Sequence, residues 1–110
     1  MLAMALTATA WAHAHLQRAL PPAGSTVSTA PKEVSLWFTQ QLEPGLSGLE
    51  VLDGAGSRVD KGDAHLAAKD TKQMLASLTD IAPGTYKVRW HVVSVDTHRT
   101  EGNYAFTVKP

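Results

Sequence analysis

The sequence predicts an all-β domain, a sandwich or barrel of short strands, and three observations carry that expectation. Tyr86, Val88, Trp90 and Val92 alternate with Lys87, Arg89 and His91, the period of a strand buried on one side and wet on the other. Tyr104, Phe106 and Val108 repeat the alternation after a polar interruption. Turn signals, among them Pro44-Gly45, Asp53-Gly54 and Pro83-Gly84, break the chain at short intervals. No internal repeat or low-complexity tract is visible.

Composition bounds the rest. A chain of 110 residues, 44% of them hydrophobic, is one domain's worth. Ten Lys plus Arg balance ten Asp plus Glu, so no basic field gathers nucleic acid or anionic lipid. With no cysteine, disulfides, thiolate metal sites and Cys nucleophiles are excluded. His, Asp, Glu and Met remain as metal donors.

Taken in order, residues 1–12 are apolar and uncharged, too short to span a bilayer core of about 30 Å. They read as the apolar part of an export signal, although the usual basic start is missing. Small-x-small patterns at Ala10-Trp11-Ala12 and Ala12-His13-Ala14 allow the mature chain to begin at His13 or at His15. The expected division is therefore a leader over 1–12 and a domain over 13–110, with no membrane span of its own.

Leu16 to Leu20 runs into Pro21-Pro22, so an edge strand is expected to stop there. Glu33 to Thr39 alternates as a strand with Val34, Leu36 and Phe38 inward, and Trp37 is also expected to join the core. Gln40 to Gly48 reads as a loop. Leu49 to Asp53 reads as a strand, with a hairpin into Arg58-Val59. Ala64 to Lys72 lacks an apolar stripe and is expected to be mostly loop, whereas Gln73 to Leu78 forms a short strand with Met74 filling the core. Ile81 to Thr85 carries Pro and Gly where a type II turn wants them. The strongest strand follows, with Trp90 on its inner face.

Between the last two strand patterns lies Asp96-Thr97-His98. In extended backbone, residues two apart share a face with Cα atoms roughly 6.6 Å apart, within reach of one metal ion. Alone the pair carries little, because Asp and His also decorate ordinary turns. His13-Ala14-His15 at the other end of the chain gives it weight.

Those segments resemble a known family, the CopC-type periplasmic copper-binding proteins. The resemblance rests on His13-Ala14-His15-Leu16, on Pro22-Ala23-Gly24-Ser25, on the run from Ala82 to Trp90, and on Val93-Ser94-Val95-Asp96-Thr97-His98 followed by Gly102 and Phe106. It implies an immunoglobulin-like Greek-key β-sandwich and one Cu(II) per chain, held by an N-terminal His and the Asp-x-His pair. Matched residue by residue, the implied ligands are His13, Asp96 and His98, with His13 as the mature N-terminus. It further implies a monomeric periplasmic carrier or buffer in copper homeostasis and resistance, with no catalytic residue. An inner-membrane copper transporter of the CopD type would be its partner.

The donor chemistry agrees independently, since Cu(II) favours a tetragonal set of nitrogen and oxygen ligands. An N-terminal His would chelate through its α-amine and its imidazole, and both must shed protons, so binding should weaken in acid. His15 brings a competitor: if the chain starts at His13, the amine, two deprotonated amides and a third-position imidazole form a Cu(II) chelate of their own. Some CopC-type proteins carry a Met-rich loop for Cu(I), but here Met74 stands alone beyond the leader. His91 and His65 read as solvated residues. Two other functions compete. One is a histidine-brace copper enzyme, disfavoured because Asp96 would fill a position that oxygen chemistry needs open. The other is an immunoglobulin-like interaction module without metal.

Overall fold

The structure is a computed structural model that describes residues 14–110; the expected leader and His13 lie outside the described residues. Among the described residues, eight strands form two four-stranded sheets. The first has the order β1 (Leu16–Leu20), β3 (Glu33–Phe38), β6 (Asp70–Ser77), β5 (His65–Ala67), and the second the order β2 (Thr26–Val27), β8 (Arg99–Val108), β7 (Gly84–Val93), β4 (Gly48–Leu52). The chain crosses between sheets after β1, β2, β3, β4 and β6. This is the expected all-β sandwich with Greek-key connections.

The alternation of apolar residues builds the interior. Val34, Leu36 and Phe38 of β3 and Met74 and Ala76 of β6 are fully buried, as are Val51, Val88 and Val92 of the opposing sheet. Phe38 meets Trp90 edge to face at 5.2 Å, and Tyr86 stacks on Phe106 at 5.6 Å. Such aromatic pairs add about 0.5–1.5 kcal/mol to the burial of their area. The Tyr86 hydroxyl donates to the Ala82 carbonyl at 2.5 Å, tying the turn before β7 to the strand itself. Sandwich domains commonly carry such a tyrosine corner.

Two expectations change and a third is met in part. Ala64 to Lys72 is not mostly loop: His65–Ala67 and Asp70–Ser77 pair as an antiparallel hairpin. β5 is an edge strand whose apolar residues are only half-buried, so its alternation is weak. Trp37 is half-buried on the outer face of its sheet, with the Arg18 guanidinium 4.5 Å from its ring centroid, a cation–π contact in place of core packing. The hairpin into Arg58-Val59 forms, but its second arm is no strand of the sheet: it is held by a Leu52–Arg58 bridge, an Asp53 N–H to Ser57 carbonyl bond of 2.9 Å and a Val59 N–H to Val51 carbonyl bond of 2.8 Å. β1 is the edge strand expected from Pro21-Pro22.

Candidate metal centre

β7 and β8 pair over ten residues, from Gly84 opposite Val108 to Val93 opposite Arg99. Beyond that pair, residues 94–98 close the hairpin. The Ser94 N–H donates to the His98 carbonyl at 2.9 Å, and the Thr97 N–H donates to the Ser94 carbonyl at 2.8 Å. Thr97 takes φ +74°, a left-handed conformation that β-branched residues rarely adopt. Asp96 and His98 therefore do not lie on extended backbone, as the spacing argument assumed. The reversal at Thr97 between them brings them together instead. His98 Nδ1 sits 3.3 Å from Asp96 Oδ1, and both side chains are 47% exposed.

Ser94 organises this turn from below. It has no exposed surface, and its hydroxyl donates to Asp96 Oδ1. That hydrogen bond, helped by His98, holds the Asp96 carboxyl below the ordinary carboxylate range. Asp96 is thus an anion at neutral and mildly acidic pH. The preceding loop braces the turn from the side: Glu43 N–H donates to Val93 O at 2.8 Å, Val95 N–H to Gln41 O at 3.0 Å, and Val93 N–H to Ser47 Oγ at 3.0 Å.

The start of the described chain is tied to the same end of the sandwich. Ala14 is fully buried, and its carbonyl accepts a 2.8 Å hydrogen bond from Oγ1 of Thr100, two residues beyond His98. The His15 N–H donates to Thr39 Oγ1 at 2.9 Å, and the Thr39 N–H returns a bond to the His15 carbonyl at 2.9 Å. Thr39 and Thr100 lie 24 and 86 residues away from their partners, so no local pattern could have singled them out. Ser94 was missed because it is one polar residue in an apolar run. Its position two before Asp96 is the only hint.

The remaining histidines stand apart from this arrangement. His65 is exposed on β5 with Nδ1 2.8 Å from the Asp63 carbonyl, and His91 is exposed on the outer face of β7 beside Gly48. A hollow of about 640 Å³ on that outer face includes His91 but neither Asp96 nor His98. Its arginines Arg58, Arg89 and Arg99 pair with Asp60, Glu50 and Glu101. Met74 is buried in the core. Among the described residues no group of three or more His, Asp or Glu gathers as a metal cage, and no helix is long and apolar enough to cross a membrane.

Comparison with known proteins identifies the family. The CopC domain family model matches residues 16–109. The chain belongs to the CopC family. Protein YobA of Escherichia coli K12 is 41% identical over 105 residues, covering 94% of this chain and 85% of that protein. The crystal structure of CopC from Methylosinus trichosporium OB3b superposes with a TM-score of 0.83 at 37% identity, covering 89% of this chain and 95% of that one. PcoC, a methionine-rich copper resistance protein from Escherichia coli, superposes with a TM-score of 0.76 at 36% identity, covering 88% of this chain and 99% of that one. The copper transport protein CutJ of Bacillus subtilis is 28% identical over 104 residues; the match covers 94% of this chain and only 19% of that protein.

Proposed function

We propose that this protein is a periplasmic Cu(II) carrier or buffer that holds one ion with His13, Asp96 and His98 and passes it to a membrane copper transporter. The observation that carries the reading is the Asp96–His98 pair, an anionic oxygen and an imidazole side by side at 3.3 Å on an exposed turn. Nitrogen and oxygen donors of this kind suit Cu(II) better than Cu(I). A third donor from His13 would complete a chelate, and the next residue, Ala14, is already bonded to Thr100 on the strand that leaves the turn.

Cargo exchange asks for a site that is open as well as preorganised. Asp96 and His98 are half-exposed, while the backbone beneath them is fixed by Ser94 and the braced loop. Delivery to a transporter draws support from CutJ, a copper transport protein in which a CopC-like segment is one part of a much longer chain. The lone Met74, buried in the core, gives no support to a Cu(I) thioether site.

The test is competitive Cu(II) titration of the exported, native-start protein against a chromophoric chelator. Asp96→Ala and His98→Ala should each lose more than about 100-fold in affinity, beyond the 10- to 100-fold typical for an outer partner. His65→Ala and His91→Ala should bind as the wild type does. A His91→Ala protein that loses copper as completely as His98→Ala would sink the assignment.

A further inference from the structure

We infer that Thr39 and Thr100 form a clamp on the Ala14–His15 peptide unit that keeps copper out of the amino-terminal chelate and so decides which donor set the protein uses. The inference rests on the proposed site, because it takes His13 as the mature start.

The competing chelate needs four nitrogens: the α-amine of His13, the deprotonated amides of Ala14 and His15, and the His15 imidazole. Deprotonating the His15 amide puts the metal where its hydrogen was. In the structure that direction is taken by Thr39 Oγ1, which accepts the His15 N–H at 2.9 Å. The carbonyl of the same peptide unit accepts from Thr100 Oγ1 at 2.8 Å. Both ends of one amide plane are thereby held, on a residue whose methyl group is fully buried. The Thr39 N–H to His15 O bond of 2.9 Å extends the β1–β3 ladder one step and holds the next carbonyl as well.

The two hydroxyls have different parts. Accepting from an N–H favours the protonated amide, so Thr39 opposes the chelate directly. Donating to the carbonyl would by itself make that amide slightly more acidic. Thr100 therefore acts by fixing the plane, since rotating the peptide toward a metal at the amine breaks its bond. The His15 N–H to Thr39 bond has to be broken before the four-nitrogen set can form, and the Thr100 bond with it if the plane turns. A net loss of one or two hydrogen bonds corresponds to roughly a 5- to 100-fold change in the balance between donor sets.

The experiment uses the full native-start protein with Thr39→Val, Thr100→Val and the double change, read by electron paramagnetic resonance and visible absorption with Cu(II), and with Ni(II) as a second probe. Ni(II) becomes diamagnetic and square planar in the four-nitrogen set. The wild type should show a mixed nitrogen and oxygen signature. The double variant should shift toward the four-nitrogen signature and bind Ni(II) as a square-planar complex. Adding His15→Ala to the double variant should abolish both effects.

Amide hydrogen exchange on the metal-free wild type gives a reading that needs no variant to fold. The His15 N–H should exchange at least about tenfold more slowly than in an unfolded peptide. Unprotected exchange at His15, a four-nitrogen signature already in the wild type, or a folded double variant with an unchanged donor set would each overturn the clamp. Failure of the underlying site is distinct: there, Asp96→Ala and His98→Ala would leave the wild-type copper signature unaltered.

Discussion

Ser94 has no exposed surface, yet its hydroxyl serves a carboxylate at the surface. Asp96 Oδ1 takes the Ser94 hydroxyl and also faces His98 Nδ1 at 3.3 Å. Ser94→Ala leaves the backbone bonds of the turn in place and frees Asp96 to rotate. Copper affinity should fall about 10- to 100-fold, as for other outer partners of a metal ligand, while far-ultraviolet circular dichroism stays unchanged. Affinity equal to wild type would show that the turn alone aims Asp96. Gly102 is a second position where one atom matters. A Cβ built there would lie 2.5 Å from Cζ2 of Trp90, directly across the strand pair. Gly102→Ala must push the indole off its edge-to-face contact with Phe38, at a cost of about 1–3 kcal/mol in a denaturant melt.

At the scale of elements, legibility followed burial. β7 and β8 were plain in the sequence because one face of each is core and the other solvent, so alternation survives in the residues themselves. β5 was missed because an edge strand with half-buried residues has no such contrast. Asp96 and His98 were legible as a pair, but the reason they meet was not: a left-handed Thr97 follows from hairpin closure, not from any preference of threonine. Thr39 and Thr100 act across the fold, through partners that only tertiary structure supplies, whereas Ser94 acts locally on Asp96 two residues on. Trp90 links the elements. It is half-buried and packs against Phe38 of the facing sheet, so Trp90→Ala should cost about 3 kcal/mol, toward the low end for a truncated aromatic. An unchanged melting curve would contradict the inter-sheet contact.

Beneath the second sheet, Asp60 ties β4 to the following segment and gives the domain an acid limit. Its Oδ1 accepts from the Val51 N–H at 2.9 Å and the Arg58 Nε at 3.1 Å, and its Oδ2 from the Arg58 guanidinium at 2.5 Å and the Gly62 N–H at 3.1 Å. Burial pushes the carboxyl up, but the Arg58 bond and the two amides together outweigh it and hold the group below its ordinary value. A depressed folded pKa contributes stability that is complete above the unfolded value of about 3.9 and is lost as pH falls through the folded one. Unfolding free energy should therefore decline below about pH 4, and Asp60→Asn should flatten that decline while lowering stability at neutral pH. An Asp60→Asn protein with the wild-type acid profile would assign the acid limit elsewhere.

For the whole molecule, the proposed site joins the two ends of the chain, and this makes metal binding measurable as stability. The first described residue is bonded to the last hairpin, so a copper ion bridging His13 to Asp96 and His98 closes a loop across nearly the full sequence. A ligand that binds only the folded form at 100 times its Kd adds about 2.7 kcal/mol. For a domain of this size that corresponds to a rise in Tm of roughly 10 to 20 °C. The α-amine is a ligand only if nothing precedes His13, so one Gly left in front of it removes a donor while keeping every side chain. Calorimetric melts of native-start and Gly-extended protein, with and without Cu(II), separate the contributions. The metal-free curves should coincide, because among the described residues the bonds that anchor this end begin at Ala14. With copper, the native start should gain the full rise and the extended form much less, and lowering the pH should shrink the gain because metal binding releases protons. Equal gains for both forms would show that the chain end is not a ligand, and that Asp96 and His98 hold the ion with some other partner.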